Sequence, residues 1–108
     1  PLVFVFSSLN IDEADWSEIE RIRGIVDYAK ETGIPIVLLT RGSRAQINRW
    51  KQKYKLSIAT FSNDDKGLMM ISRSNPNLML IKNGVVRAKY TRLNLPTAET
   101  LKKKLKKQ

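Results

Sequence analysis

At 108 residues, 42% of them hydrophobic and 28% charged, the chain is long enough for one domain with a modest core and too apolar for wholesale disorder. It holds no cysteine and no histidine, which excludes disulfides, thiol catalysis and thiolate metal sites and removes the commonest general base and metal ligand. The formal charge of +10 is uneven: residues 1–34 carry seven acidic and three basic side chains, residues 35–108 three acidic and seventeen basic. That asymmetry points to an acidic partner, nucleic acid or an anionic membrane surface, with a solvated basic surface as the plain alternative. No run approaches 20 apolar residues, so this piece shows no transmembrane helix.

Leu2 to Phe6 (LVFVF) reads as a buried strand and Ser7 to Asn10 as a loop. Trp16, Ile19, Ile22, Val26 and Ala29 recur at spacings of three and four, which predicts an amphipathic helix with Asp12, Glu13 and Asp15 in its first turn. Gly33 stops that helix, and Ile34 to Leu39 supplies a central parallel strand, completing a right-handed βαβ unit. Ser43 and Gln46 have capping-box spacing ahead of a second helix whose inner face is Ile47, Trp50 and Tyr54. Ile58 to Phe61 predicts a short strand at or near a sheet edge, and Asp64 or Asp65 caps a third short helix through Leu68, Met69 and Ile71. Met69, Met70 and Met79 read as core filler.

The most informative stretch is Ser74 to Gly84 (SNPNLMLIKNG). Pro76 lacks an N–H and suits the first strand position. Leu78 to Ile81 is an unbroken apolar run, as in a strand covered on both faces. Asn83-Gly84 predicts a type I′ hairpin, with Val85, Val86, Ala88 and Tyr90 on the returning strand. Leu93 to Pro96 is a connector, and Thr97 to Lys107 a closing helix with Leu101 and Leu105 one turn apart.

This string resembles the cis-Pro, apolar strand, Lys-Asn-Gly hairpin of the thioredoxin fold. The whole order β-α-β-α-β-α-β-β-α resembles the TlpA and peroxiredoxin-like branch, with Arg44 to Phe61 as its inserted helix and strand. The phrases ERIRGIVDYAKETGIPIVLLT and ISRSNPNLMLIKNGVV are similar to the C-terminal soluble domain of bacterial DoxX-like membrane proteins. The resemblance implies a single thioredoxin-like α/β domain over residues 1–108: a central mixed sheet with helices on both faces. It also implies membrane helices before Pro1 and residence in the bacterial inner membrane. Redox members carry C-x-x-C after the first strand, where this chain has Asn10 to Trp16 (NIDEADW). Thiol–disulfide exchange and peroxide reduction both need a thiolate, so neither is available here. What the resemblance leaves is a redox-inactive interaction module with a groove beside the proline.

Candidate sites follow. Ser74, Asn75, Pro76 and Asn77, with Asp12 and Asp15 opposite, form a peptide or ligand groove open to β-addition, or a proline turn kept for the fold alone. Asp12, Glu13 and Asp15 are an acid–base or cation cluster whose members raise one another's pKa, or simple helix capping. Arg41, Arg44, Arg49, Lys51, Lys53 and Lys55 form an anion-binding face, with Trp50 and Tyr54 free to stack on bases or else turned into the core. Nucleic acid is therefore the alternative partner to a protein or peptide. Lys102, Lys103, Lys104, Lys106 and Lys107 form a basic tail that faces anionic lipid or only solubilises. No glycine-rich phosphate loop, zinc-type spacing or serine-hydrolase elbow is present, so the reading assigns no catalytic residue, metal or cofactor.

Overall fold

The computed structural model describes residues 1–62 and 76–106. Within them the order is β1 (Leu2–Asn10), α1 (Ile19–Thr32), β2 (Ile36–Arg41), α2 (Arg44–Tyr54), β3 (Ala59–Ser62), β4 (Asn77–Lys82), β5 (Val85–Tyr90), a 3-10 turn (Arg92–Asn94) and α3 (Ala98–Lys106). The strands form one mixed sheet in the order β3-β2-β1-β4-β5. β1 is central. It runs parallel to β2, with Phe6 opposite Leu38, and antiparallel to β4, with Phe6 opposite Leu78. β3 lies at one edge, parallel to β2, as the short Ile58 to Phe61 run predicted.

Residue pattern explains the layers. Phe4, Phe6, Leu38, Leu78 and Leu80 point to one face and pack with Ile22, Ile25, Val26 and Leu101 in a single cluster. Val5 and Met79 alternate to the other face and are buried as well. Both faces of the central strands are therefore covered, which is why those strands carry no polar alternation. Helix α1 is flanked by the other two described helices. Its Arg23 donates to the Tyr54 and Lys55 carbonyls at the end of α2, and Arg21 donates to the Leu95 carbonyl ahead of α3.

Two boundaries differ from expectation near the N-terminus. β1 continues through Ser7 to Asn10, where a loop was expected, because its polar side chains are satisfied inside the sheet. Ser7 Oγ donates to Asn77 Oδ1 at 2.9 Å, and Ser8 Oγ to the Asn10 carbonyl at 3.1 Å. α1 then starts at Ile19, so Asp12, Glu13 and Asp15 precede the helix and do not form its first turn. The cause is local competition: Asn10 Oδ1 accepts from the Asp12 N–H at 3.0 Å, and Asp15 Oδ1 from the Ser17 N–H at 2.9 Å. These side chains offer the backbone a turn in place of a helix.

The punctuation residues act as expected. Gly33 closes α1 in the left-handed region at φ 73°. The Ser43–Gln46 capping box is complete, with both reciprocal hydrogen bonds made, at 3.1 and 2.7 Å. Asn83 (φ 53°) and Gly84 (φ 80°) take the two positive φ values of a type I′ hairpin. The third helix expected over Asp64 to Ile71 lies outside the described residues.

Urea unfolding of two variants checks this architecture. Phe6→Ala removes a ring that is 1% exposed from the central strand and is expected to cost about 3–5 kcal/mol. Gly84→Ala forces a side chain into the left-handed region and is expected to cost about 1–2 kcal/mol. An equal, small loss for both would contradict the placement of β1 at the centre.

Candidate functional site

The site grows out of the C-terminal end of β1. Ile11 follows the strand and is buried, and the chain then turns back on itself through hydrogen bonds from the Glu13 and Ala14 N–H groups to the Asn10 carbonyl. Trp16 closes the loop: its indole Nε1 donates to the Ile11 carbonyl at 2.8 Å in a buried bond. The Trp16 ring meets α2, with centroids 5.0 Å from Trp50 and 6.4 Å from Tyr54, and Trp50 and Tyr54 lie 5.8 Å apart. Such tilted aromatic contacts each contribute about 0.5–1.5 kcal/mol beyond area burial. Gly42, between β2 and α2, lets the two walls approach. A Cβ there would sit 3.2 Å from Ile11 Cγ2 and 3.3 Å from Gln46 Oε1, in a backbone conformation (φ +154°) that side chains rarely adopt.

Between the loop and α2 lies a cleft of about 900 Å³ with these three aromatic rings among its lining. Asp12, Asp15 and Ser17 stand on the loop wall; Arg49, Gln52 and Lys53 stand on the helix wall. Asp12 Oδ2 accepts from Gln46 Nε2 at 2.6 Å and lies 4.0 Å from Arg49 Nη2. Asp15 Oδ2 lies 3.3 Å from Arg92 Nη1, and the Lys53 ammonium sits 5.3 Å from the centre of the Tyr54 ring. Among the described residues, Trp50 Nε1 and Arg41 Nε are enclosed and find no hydrogen-bond acceptor.

The residues singled out from the sequence separate into several places. Asp12 and Asp15 come to the cleft, joined by Arg49 and Lys53 from the expected anion-binding face. The rest of that face goes elsewhere. Arg44 and Lys51 line a second cleft of about 530 Å³ on the β3 side of α2, with Asn48 and Thr60. Arg41 is half-buried at the end of β2, and Lys55 caps α2 in the left-handed region at φ 52°. The six cations are thus not one surface, because α2 turns them to both of its sides. Trp50 is only 5% exposed and presents no free ring to a base.

Pro76 and Asn77 are both buried, and Asn77 bonds Ser7 inside the sheet. Ser74, Asn75 and the isomer of the bond between Asn75 and Pro76 lie outside the described residues. Lys102, Lys103, Lys104 and Lys106 are exposed on α3, and Lys107 lies outside the described residues. Lys104 is engaged: it donates to the Tyr90 hydroxyl at 3.0 Å and lies over that ring.

Sequence reasoning missed Gln46 as a ligand of Asp12 and Arg92 as the partner of Asp15. Nothing in their spacing announces these contacts, which join residues far apart in the chain. Trp16 was expected on a helical face; it stands before the helix and organises the loop.

Asp15 is not raised by its neighbours. Hydrogen bonds from Ser17, first through its side chain and then its backbone, hold Asp15 below the usual carboxylate value, with Arg92 adding to the effect. Asp15 therefore stays charged, as an anion that orders the loop.

No protein-family model matches the chain, and no curated protein does. Among solved structures it is similar to a candidate thioredoxin from Neisseria meningitidis, with a TM-score of 0.73 at 13% identity over 98% of this chain and 73% of that one. It is also similar to a thio-disulfide isomerase from Thermus thermophilus, with a TM-score of 0.63 at 17% identity over 95% of this chain and 75% of that one. At such identities the likeness is one of fold. The fold is thioredoxin-like, as the Pro76 to Gly84 string predicted.

The Asp15 shift makes a pH-dependent prediction. A carboxyl whose folded pKa is depressed stabilises above its unfolded value, and loses that contribution as pH falls through the folded one. Asp15→Asn keeps the acceptor for Ser17 and removes the charge. The variant is expected to be less stable than the parent at neutral pH, with the gap closing as pH falls below the ordinary carboxylate range in urea titrations. A gap independent of pH would show that the charge plays no part.

Proposed function

We propose that this domain is a redox-inactive thioredoxin-like interaction module that engages a protein or peptide at the cleft between the β1–α1 loop and α2. The observation that carries the reading is the loop itself. It occupies the place, after the first strand and before the first helix, where redox members of the resembled family hold their cysteines. Here it contains no sulfur and is closed by Trp16 over a cleft with an aromatic floor. A recess that mixes aromatic rings with convergent charged and polar groups suits recognition. The thiolate needed for disulfide exchange is absent from this sequence.

The reading extends to the whole protein. The phrases similar to DoxX-like proteins support a native chain with membrane helices before Pro1, in a bacterial inner membrane, with this TlpA-like domain as its soluble end. The exposed lysines of α3 suit a domain held beside anionic lipid, at about 1 kcal/mol for each lysine near the surface. No described helix is long and apolar enough to cross a membrane, so the proposed anchor lies outside them.

Fractionation of the native full-length gene product tests the tether. With a C-terminal tag, the protein is expected to stay in the membrane pellet after an alkaline carbonate wash. Release into the soluble fraction would contradict the membrane assignment. Crosslinking from a photoreactive group at position 53 is expected to trap a protein partner, and trapping none would count against the interaction module. For the lipid contact, removing residues 102–108 is expected to weaken binding to anionic liposomes; unchanged binding would remove it.

A further inference from the structure

The two walls of the main cleft carry opposite charge. Asp12 and Asp15 project from the loop, and Arg49 and Lys53 from α2. These four groups balance one another and Arg92, 3.3 Å from Asp15, adds one cation, so the cleft is far closer to neutral than the chain as a whole, which carries +10. A simple anion gains more at the unbalanced basic surfaces, such as the outer side of α3. A ligand carrying both signs gains most here.

The ion pair across the mouth is weak, although Asp12 also accepts a hydrogen bond from Gln46 and Asp15 is held by Arg92. Arg49 and Asp12 stand 4.0 Å apart with side chains 68% and 49% exposed, so separating them costs little. The Lys53 ammonium rests over a ring, within reach of an entering carboxylate. Trp50, in the floor, has an indole N–H without an acceptor among the described residues. The cleft, at about 900 Å³, falls in the size range of small-molecule sites.

Resting on the reading of this cleft as the binding surface, we propose that it takes a small dipolar molecule with a free ammonium, a free carboxylate and an apolar or aromatic body. An amino acid or a short unblocked peptide has that chemistry. The ammonium meets Asp12, the carboxylate meets Arg49 and Lys53, and the body lies along half-buried Tyr54.

The chain supplies its own reporter, because its two tryptophans are Trp16 and Trp50, both lining the cleft. Tryptophan emission of the 108-residue domain is followed during titration with L-phenylalanine, alanyl-phenylalanine, N-acetylphenylalanine, phenylalaninamide and doubly blocked N-acetyl-phenylalaninamide. The two dipolar compounds are expected to give saturable changes, and the tighter of them identifies amino acid or peptide as the source. Blocking either charge is expected to weaken binding by about tenfold. Arg49→Gln, at an exposed position, is expected to weaken phenylalanine by about tenfold and leave phenylalaninamide unchanged. Asp12→Asn is expected to weaken phenylalaninamide and leave N-acetylphenylalanine unchanged. Equal affinity for the singly blocked and dipolar compounds, or no saturation by any compound, overturns the proposal. Binding of the doubly blocked compound as tight as that of phenylalanine also overturns it, yet leaves the interaction module standing. If crosslinking from position 53 traps no partner while phenylalanine still binds, the module falls and the dipolar site stands.

Discussion

The structure depends on β1 being paired on both sides by strands of opposite direction. β2 runs parallel to it and β4 antiparallel. A strand in that position has no exposed edge and no exposed face. It therefore needs apolar side chains at successive positions, and Phe4, Val5 and Phe6 are all buried. Where the apolar run ends, Ser7 and Ser8 remain buried only because each finds an acceptor. The same arrangement brings three chain ends together: the exit of β1, the exit of β2 and the entry to β4. The candidate site stands at that end of the sheet because the pairing leaves loops nowhere else to converge beside α2.

The loop that emerges there is held by side chains and not by helical hydrogen bonds. Asn10 and Asp15 each bond a backbone N–H two residues ahead, and Trp16 bonds back to Ile11. This network fixes one wall of the cleft before any ligand arrives, and the Trp16 contacts with Trp50 and Tyr54 fix the other wall against it. In a site of this kind, pre-organisation lowers the cost of binding by leaving less to order. The charged groups are mostly at the rim and half-exposed, so they contribute selectivity more than stability.

Much of this was legible in the sequence, and the reasons are specific. Asn83-Gly84, Gly33 and the Ser43–Gln46 pair are short-range signals whose geometry is complete within four residues, and all three behave as read. The unbroken runs at Phe4 to Phe6 and Leu78 to Leu80 identify strands buried on both faces. The start of α1 was misplaced because Asp and Asn serve equally as helix caps and as turn formers. Spacing cannot tell which role they take. The cleft was not legible at all. Gln46 to Asp12, Arg92 to Asp15 and Trp16 to Trp50 are contacts between residues 34 to 77 positions apart, set by how α2 and the 3-10 turn after β5 lie against the loop. The separation of the α2 cations into two surfaces follows from the same packing.

The central claim is that Trp16 welds the loop to α2 and so builds the cleft. A double-mutant cycle with Trp16→Leu and Trp50→Leu, read by urea unfolding, tests it most directly. The account predicts a coupling of about 0.5–1.5 kcal/mol between the two positions. Losses that add to within about 0.3 kcal/mol would show that the rings do not support each other, and would contradict a cleft built by that contact.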